Sequence, residues 1–457
     1  MSTRVLVPSG VLGLGFSSDA LARGVQMQPD IICIDGGSTD SGPFSLGTGT
    51  SKYARAACKK EWQELMLARE TLQVPLVISS CGTCGTDSMV EWMYDITAEI
   101  AEQLQLSVNV TLLFSEVSSN TVINKLEKRQ CHALEPDIGL SESGLRDCAH
   151  IVALAGCEQI QAALQTGADI ILAGRATDTA AICALPIQRG DHVGAAWHGA
   201  KIAECGAFCS TNPTSGVILL DVDETGFTVQ AMANNASCTP HSVSAHMLYE
   251  NANPFQLHEP GGLLDVTQAQ YQQSENEAVR VTGSLWHTAP SYTVKLEGAR
   301  PAGFQATLVA VIRNAHYVQH AQQWIERLEH VLDEQICSSL DVNKKQYALE
   351  FRLMGIDSVL GGLEHRSSLP VEVGVLVIVT ASTQELTDEI SKIVNPYLLH
   401  YPLTDNEPVP TFAFPYSPAH SNRGECYEFC INHVIALSEP MEVFRLETRT
   451  VNAHATR

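Results

Sequence analysis

Apolar positions along this chain recur with two different periods. Short runs of β-branched and aliphatic residues at 4–8, 30–34, 75–79, 108–114 and 169–173 read as buried strands. Between them, 51–73, 87–105, 119–129 and 156–166 carry apolar residues at three- and four-residue spacing, the pattern of helices with one packed face. Strands that alternate with helices in this way predict right-handed βαβ units, and hence an α/β fold with a Rossmann-like, mostly parallel sheet in the N-terminal half.

The texture changes after residue 210. GVILLDVDETGFTV, a Pro/Asn/His-rich stretch over 234–264, VRVTGS and YTVKLEG predict strands and long loops, read as a connecting or lid layer. From about 303 the order becomes strand 307–312, helix 316–332, strands 347–353 and 371–379, helix 383–399, then strands near 411–414 and 426–431. That order predicts a second, ferredoxin-like α+β domain. The expected organisation is an α/β domain over 1–210 with glycine-rich ligand loops, the connecting layer over 211–302 and the C-terminal domain over 303–457.

Composition narrows the partners. With 45% apolar and 17% charged residues in 457 positions, the chain can bury sizeable cores. Its 28 Lys+Arg against 51 Asp+Glu leave a charge of −23, and no basic run exceeds Lys59-Lys60, so no nucleic-acid partner is expected. No stretch approaches the roughly 20 apolar residues that cross a bilayer, and the N-terminus lacks a signal-peptide pattern. Fourteen cysteines spread singly through apolar segments suit a reducing compartment. These features together lead us to expect a cytoplasmic chain with no membrane partner.

Candidate chemistry clusters just after three predicted strands, the edge where ligands bind in an open parallel sheet. In DGGSTDSG, Asp35 and Asp40 offer acid–base groups, while Gly36, Gly37, Ser38 and Thr39 let main chain approach an anion; Lys52 and Arg55 add positive charge nearby. The plainer alternative is a tight loop in which Asp and Ser cap helices. Cys81-Gly-Thr-Cys84 precedes Asp87 at a predicted helix start; a redox dithiol or half a zinc site competes there with a crowded loop capped by Asp87, and no second C-x-x-C exists. In GRATDT, Arg175 can clamp a carboxylate and Asp178 can orient it or react, although an internal Arg–Asp pair is the competing reading.

Two further segments carry titratable groups. His198, Lys201 and Cys205 fall on one face of a predicted helix, with Glu204 in the same segment and a structural histidine as the competing reading of His198, and His246 and Glu250 lie four apart on one side of another predicted helix. Shared metal ligation or a Glu orienting a His are the two uses of that spacing. No nucleophile elbow, P-loop or regular dinucleotide fingerprint occurs, and no cofactor is therefore expected.

The same segments resemble a known family. DGGSTDSGPFSLGTG, ADIILAGRATDT, WHGAKIAECGA, CTPHSVSAHMLYENANPF with LHEPGGLLD, and RVTGS with YTVKLEGA resemble the acyclic terpene utilisation (AtuA) family from about residue 4 to 300. FAFPYSP and GECYEFCINH are similar to a branch of it. Cys81 and Cys84 stand where that family's Ser-x-Gly-x-x-Gly-Asp loop has small residues, which argues against redox or zinc use of the pair. The resemblance implies organic-acid catabolism, by analogy with gene neighbourhoods rich in carboxylate-uptake and CoA-related functions, and a small companion protein.

The expected function is a lyase, hydratase or isomerase acting on a small hydroxy- or amino-carboxylate or its CoA ester. Asp35, Asp40, Asp178, His198 and Glu204 are its expected catalytic groups. Gly36, Gly37, Ser38, Thr39, Lys52, Arg55, Asp87, Arg175, His246 and Glu250 are expected to bind substrate. A homo-oligomer is expected. The alternatives are a non-catalytic carboxylate- or CoA-binding subunit completed by the companion, and a divalent-metal hydrolase using Asp35, Asp40, Asp178 or His246.

Overall fold

The computed structural model describes residues 2–366 and 368–452. The chain divides into two compact units, Met1–Arg300 with Phe429–Arg457, and Pro301–Glu428.

The first unit is built on a ten-stranded mixed sheet. Its middle is parallel, in the order Thr3–Val7, Ile31–Asp35, Leu76–Ser79, Ile170–Ala173, Val108–Phe114. Every residue of Ile31–Asp35, Leu76–Ser79 and Ile170–Ala173 is buried, as expected of parallel strands covered on both faces. The covering helices include Arg55–Leu72, which buries Cys58, Trp62, Leu65, Met66 and Arg69 at three- and four-residue spacing, and Asp87–Leu104. Trp62 in the first donates its indole N–H to the Thr97 hydroxyl in the second, 2.9 Å away.

The sheet is less parallel than the sequence pattern suggests. Ile218–Val222 and Gly226–Ala231 join antiparallel beside Thr3–Val7, followed by Val279–Thr282 and Gln270–Gln273, so that much of 211–302 continues the main sheet. On the opposite edge the C-terminal strand Arg445–Val451 pairs antiparallel with Val108–Phe114. Polar residues alternate through Arg445–Val451, which conceals it from a search for apolar runs.

The second unit contains the strands Tyr347–Met354 and Val373–Ala381, the latter paired antiparallel with 304–312 of the long strand Tyr292–Ile312. The helices Ala321–Leu340 and Gln384–His400 contribute Trp324, Leu328, Leu332, Ile390, Val394 and Leu398 to a separate core. The strand expected near 411–414 is only a single bridge, Val311 to Ala413, because flanking prolines and a bend interrupt pairing. Among the described residues, no helix is long and apolar enough to cross a membrane.

Candidate active site at the carboxyl edge of the parallel strands

Three neighbouring strands, Ile31–Asp35, Leu76–Ser79 and Ile170–Ala173, end side by side, and their following loops knit together. Gly36 N–H donates to the Ser79 carbonyl at 2.7 Å, Ser80 N–H to the Gly174 carbonyl at 2.9 Å, and Arg175 N–H to the Gly85 carbonyl at 3.1 Å. Glycine is required at 36 and 85. A Cβ there would sit 2.3 Å from the Ser80 oxygen or 2.1 Å from the Arg175 nitrogen.

Asp35, the last residue of its strand, is buried and accepts hydrogen bonds from the Ser79 hydroxyl at 2.8 Å and Gly37 N–H at 3.0 Å. Burial, reinforced by the charge of Asp178, outweighs Arg175 and these donors and pushes the Asp35 carboxyl up to about 7. It therefore exchanges a proton near neutrality.

Arg175 is turned inward. Its Nε and Nη2 grip Glu297 at 3.0 and 3.4 Å, Nη1 donates to the Ser80 hydroxyl at 3.0 Å, and Thr39 adds a hydroxyl to Glu297 at 3.0 Å. Burial disfavours both charges of this pair, but their mutual attraction prevails, so Arg175 stays cationic and Glu297 is held below its ordinary range. The guanidinium expected to clamp substrate thus has an internal carboxylate as its partner.

Asp178 lies 3.8 Å from Arg175, deeply set yet with 35% of its side chain open to solvent. It is the hub of the site. Burial raises its carboxyl, Arg175 and Lys201 oppose that rise, and Asp35, Glu204 and Glu259 all respond to its charge.

A helical layer supplies the facing groups. Lys201, near the end of the helix Val193–Ala203, donates to Glu204 just beyond it. Burial pushes Glu204 far above the usual carboxylate range, while Lys201 stays charged because Glu204 outweighs its own burial. Glu259 accepts from the Thr179 hydroxyl at 2.9 Å, and burial carries it to about 7. His246 closes the helix Pro240–His246; burial, then Lys201, lowers it to about 4, so the ring is neutral.

Several expected site residues lie elsewhere. His198 is buried with its Nδ1 2.8 Å from the Ser284 hydroxyl and its Nε2 3.1 Å from the Tyr271 hydroxyl; burial lowers it to about 3, leaving a neutral ring held at both nitrogens. Arg55 forms an exposed pair with Glu99 at 2.5 Å. Asp87 starts the helix Asp87–Leu104 and meets Arg445 at 3.2 Å. Glu250 does not share a helical side with His246, because the helix ends at His246 and Glu250 adopts a left-handed φ of 57°. Asp40 is exposed and accepts from Ser38 at 2.5 Å, although its charge reaches Asp178. Lys52 is exposed beside Ser41, 3.3 Å away.

The N–H groups of Gly36, Gly37 and Gly42 all donate to protein acceptors, so these three do not form an anion cradle. Cys81 and Cys84 are buried, and burial raises both thiols, which leaves them little thiolate. Sequence reasoning missed Glu297 and gave Glu259 no role. A glutamate inside the apolar strand run YTVKLEGA was the available signal for Glu297, since a buried carboxylate requires a partner.

A family model described as Acyclic terpene utilisation family protein AtuA matches residues 51–406. Comparison with curated proteins and with solved structures returned no match.

Proposed function

From a chain that belongs to the AtuA family, whose description places it in acyclic terpene utilisation, we propose a general acid–base enzyme of the hydro-lyase or isomerase type acting on a small carboxylate or its CoA ester. The observation that carries this reading is the setting of Asp178: a solvent-reachable carboxylate between two cations, facing buried carboxyls that hold protons near pH 7. Asp178 removes the proton beside the substrate carbonyl, with Arg175 and Lys201 favouring its ionised form. Asp35 delivers a proton to the departing hydroxyl, which leaves as water, or to another carbon in an isomerisation. Each such group typically contributes about 10²–10⁴-fold.

Neutral, protonated carboxyls also reduce the repulsion a substrate anion would meet, and they can donate hydrogen bonds to it. A small companion protein and self-association belong to the same reading. So do a Rossmann-like fold for the parallel strands and a ferredoxin-like one for the second unit.

The test is deuterium wash-in. Incubation in D2O with a panel of branched acyclic carboxylates, hydroxy acids and their CoA esters should label one substrate at the carbon next to its carbonyl. Asp178→Asn should abolish labelling while circular dichroism and melting stay close to the parent. Absence of labelling across the panel, or equal labelling by the variant, would overturn the proposal.

A further inference from the structure

We propose that Glu204, Cys205 and His246 form a binding site for a divalent transition metal of the zinc class. One donor atom from each, a carboxylate oxygen, the Sγ and a ring nitrogen, lie within 4.8 Å of one another. The His246 Nε2 supplies the independent observation. His246 is only 5% exposed, and this nitrogen has no hydrogen-bond partner. A buried, unpaired polar atom is costly, and a neutral imidazole whose other nitrogen donates to a backbone carbonyl has its free lone pair fixed in place. Here the carbonyl is that of Lys201, and the ring is stacked on Tyr249 with centroids 5.7 Å apart, which holds its plane.

The donor set decides the class of ion. Nitrogen, thiolate and carboxylate together suit zinc or cobalt(II) and are poorly matched to calcium or magnesium, which prefer oxygen alone. Bond lengths of about 2.0–2.3 Å require the three donors to close up by roughly 1 Å, within the reach of side-chain adjustment. Binding takes up a free ion and releases two protons to solvent, one from the Cys205 thiol and one from the buried Glu204 carboxyl. Thiolate and glutamate then balance the ion's two charges. Lys201 remains bonded to Glu204 and close to Asp178, so its charge also keeps a counterion. Cys205 is only partly buried, which provides an entry path. Three protein ligands leave a fourth position open, the arrangement of reactive rather than purely structural zinc.

This site does not depend on the acid–base reading, and its test reads metal rather than turnover. Full-length protein purified without chelator should bind one equivalent of zinc, and cobalt(II) substitution should give the intense visible bands of a four-coordinate ion and a thiolate-to-cobalt charge-transfer band. Cys205→Ser should lose the charge-transfer band, and His246→Gln should weaken cobalt binding by more than roughly tenfold. A second measurement uses the parent alone: peptide-mapped alkylation of Cys205 should be blocked by zinc and restored by chelator. Absence of zinc and cobalt binding, binding unchanged in both variants, or alkylation of Cys205 indifferent to zinc would each overturn the proposal.

Discussion

Asp35 shows how one buried carboxyl couples stability to pH. An aspartate in an unfolded chain titrates near about 3.9, whereas burial and Asp178 carry Asp35 to about 7 in the folded protein. Between those values the folded state holds a proton that the unfolded state has lost, so this residue's contribution falls as pH rises through the window and the deficit is complete above it. Asp35→Asn imitates the protonated form. The variant should therefore gain about 1–3 kcal/mol over the parent at pH 8 and nothing at pH 4, read by urea unfolding at both values. A gain that persists at pH 4 would contradict the assignment. Burial similarly explains why Cys81 and Cys84 are poor nucleophiles, and the double alanine variant should keep most of any activity the parent shows.

At the scale of elements, the Arg175–Glu297 pair ties the loop after Ile170–Ala173 to the strand Tyr292–Ile312. Lysine cannot reproduce the planar two-nitrogen grip, so Arg175→Lys should destabilise the fold by about 2–4 kcal/mol through the stranded buried carboxylate. Adding Glu297→Gln should recover part of that loss, and a double-mutant cycle in thermal melts measures the coupling. Additive losses would show that the pair is not coupled. The glycines make a second comparison. Gly85 and Gly167 share positive φ, 62° and 72°, but a Cβ on Gly85 meets the Arg175 backbone while one on Gly167 meets nothing within 4 Å. Gly167→Ala should cost only the left-handed backbone penalty of about 1 kcal/mol, and Gly85→Ala clearly more, with displacement of Arg175 as its cause.

The whole molecule depends on residues far apart in sequence. The first unit takes its last sheet strand from Arg445–Val451, after the chain has built the second unit from Pro301–Glu428. Arg445 lies over the Phe114 ring at 4.0 Å, and Arg449 grips Glu91 with two bonds at 2.6 and 2.7 Å. A chain truncated before Arg445 would expose the edge of Val108–Phe114, an apolar strand with unpaired backbone groups, and should be recovered mainly as aggregate on size-exclusion chromatography. A soluble truncated chain of parent-like stability would show that this strand is dispensable.

Local chemistry made part of this protein legible from sequence. The strands ending at Val7, Asp35, Ser79, Phe114 and Ala173, and the helices packed on them, announce themselves because burial on two faces demands unbroken apolar runs and burial on one demands helical periodicity. The clustering of Asp35, Arg175 and Asp178 followed from the rule that parallel strands present their carboxyl ends together. What those groups do to one another was set by the tertiary structure alone. Glu297 lies 122 residues from Arg175 and takes its guanidinium, a partnership no local pattern encodes. The helix end at His246, unforeseen from spacing, takes Glu250 off that helix's side while His246 comes to Glu204 and Cys205, and Ser284 and Tyr271 occupy both nitrogens of His198. Charge in a low-dielectric interior depends on three-dimensional distance and on the reach of water, and sequence order specifies neither.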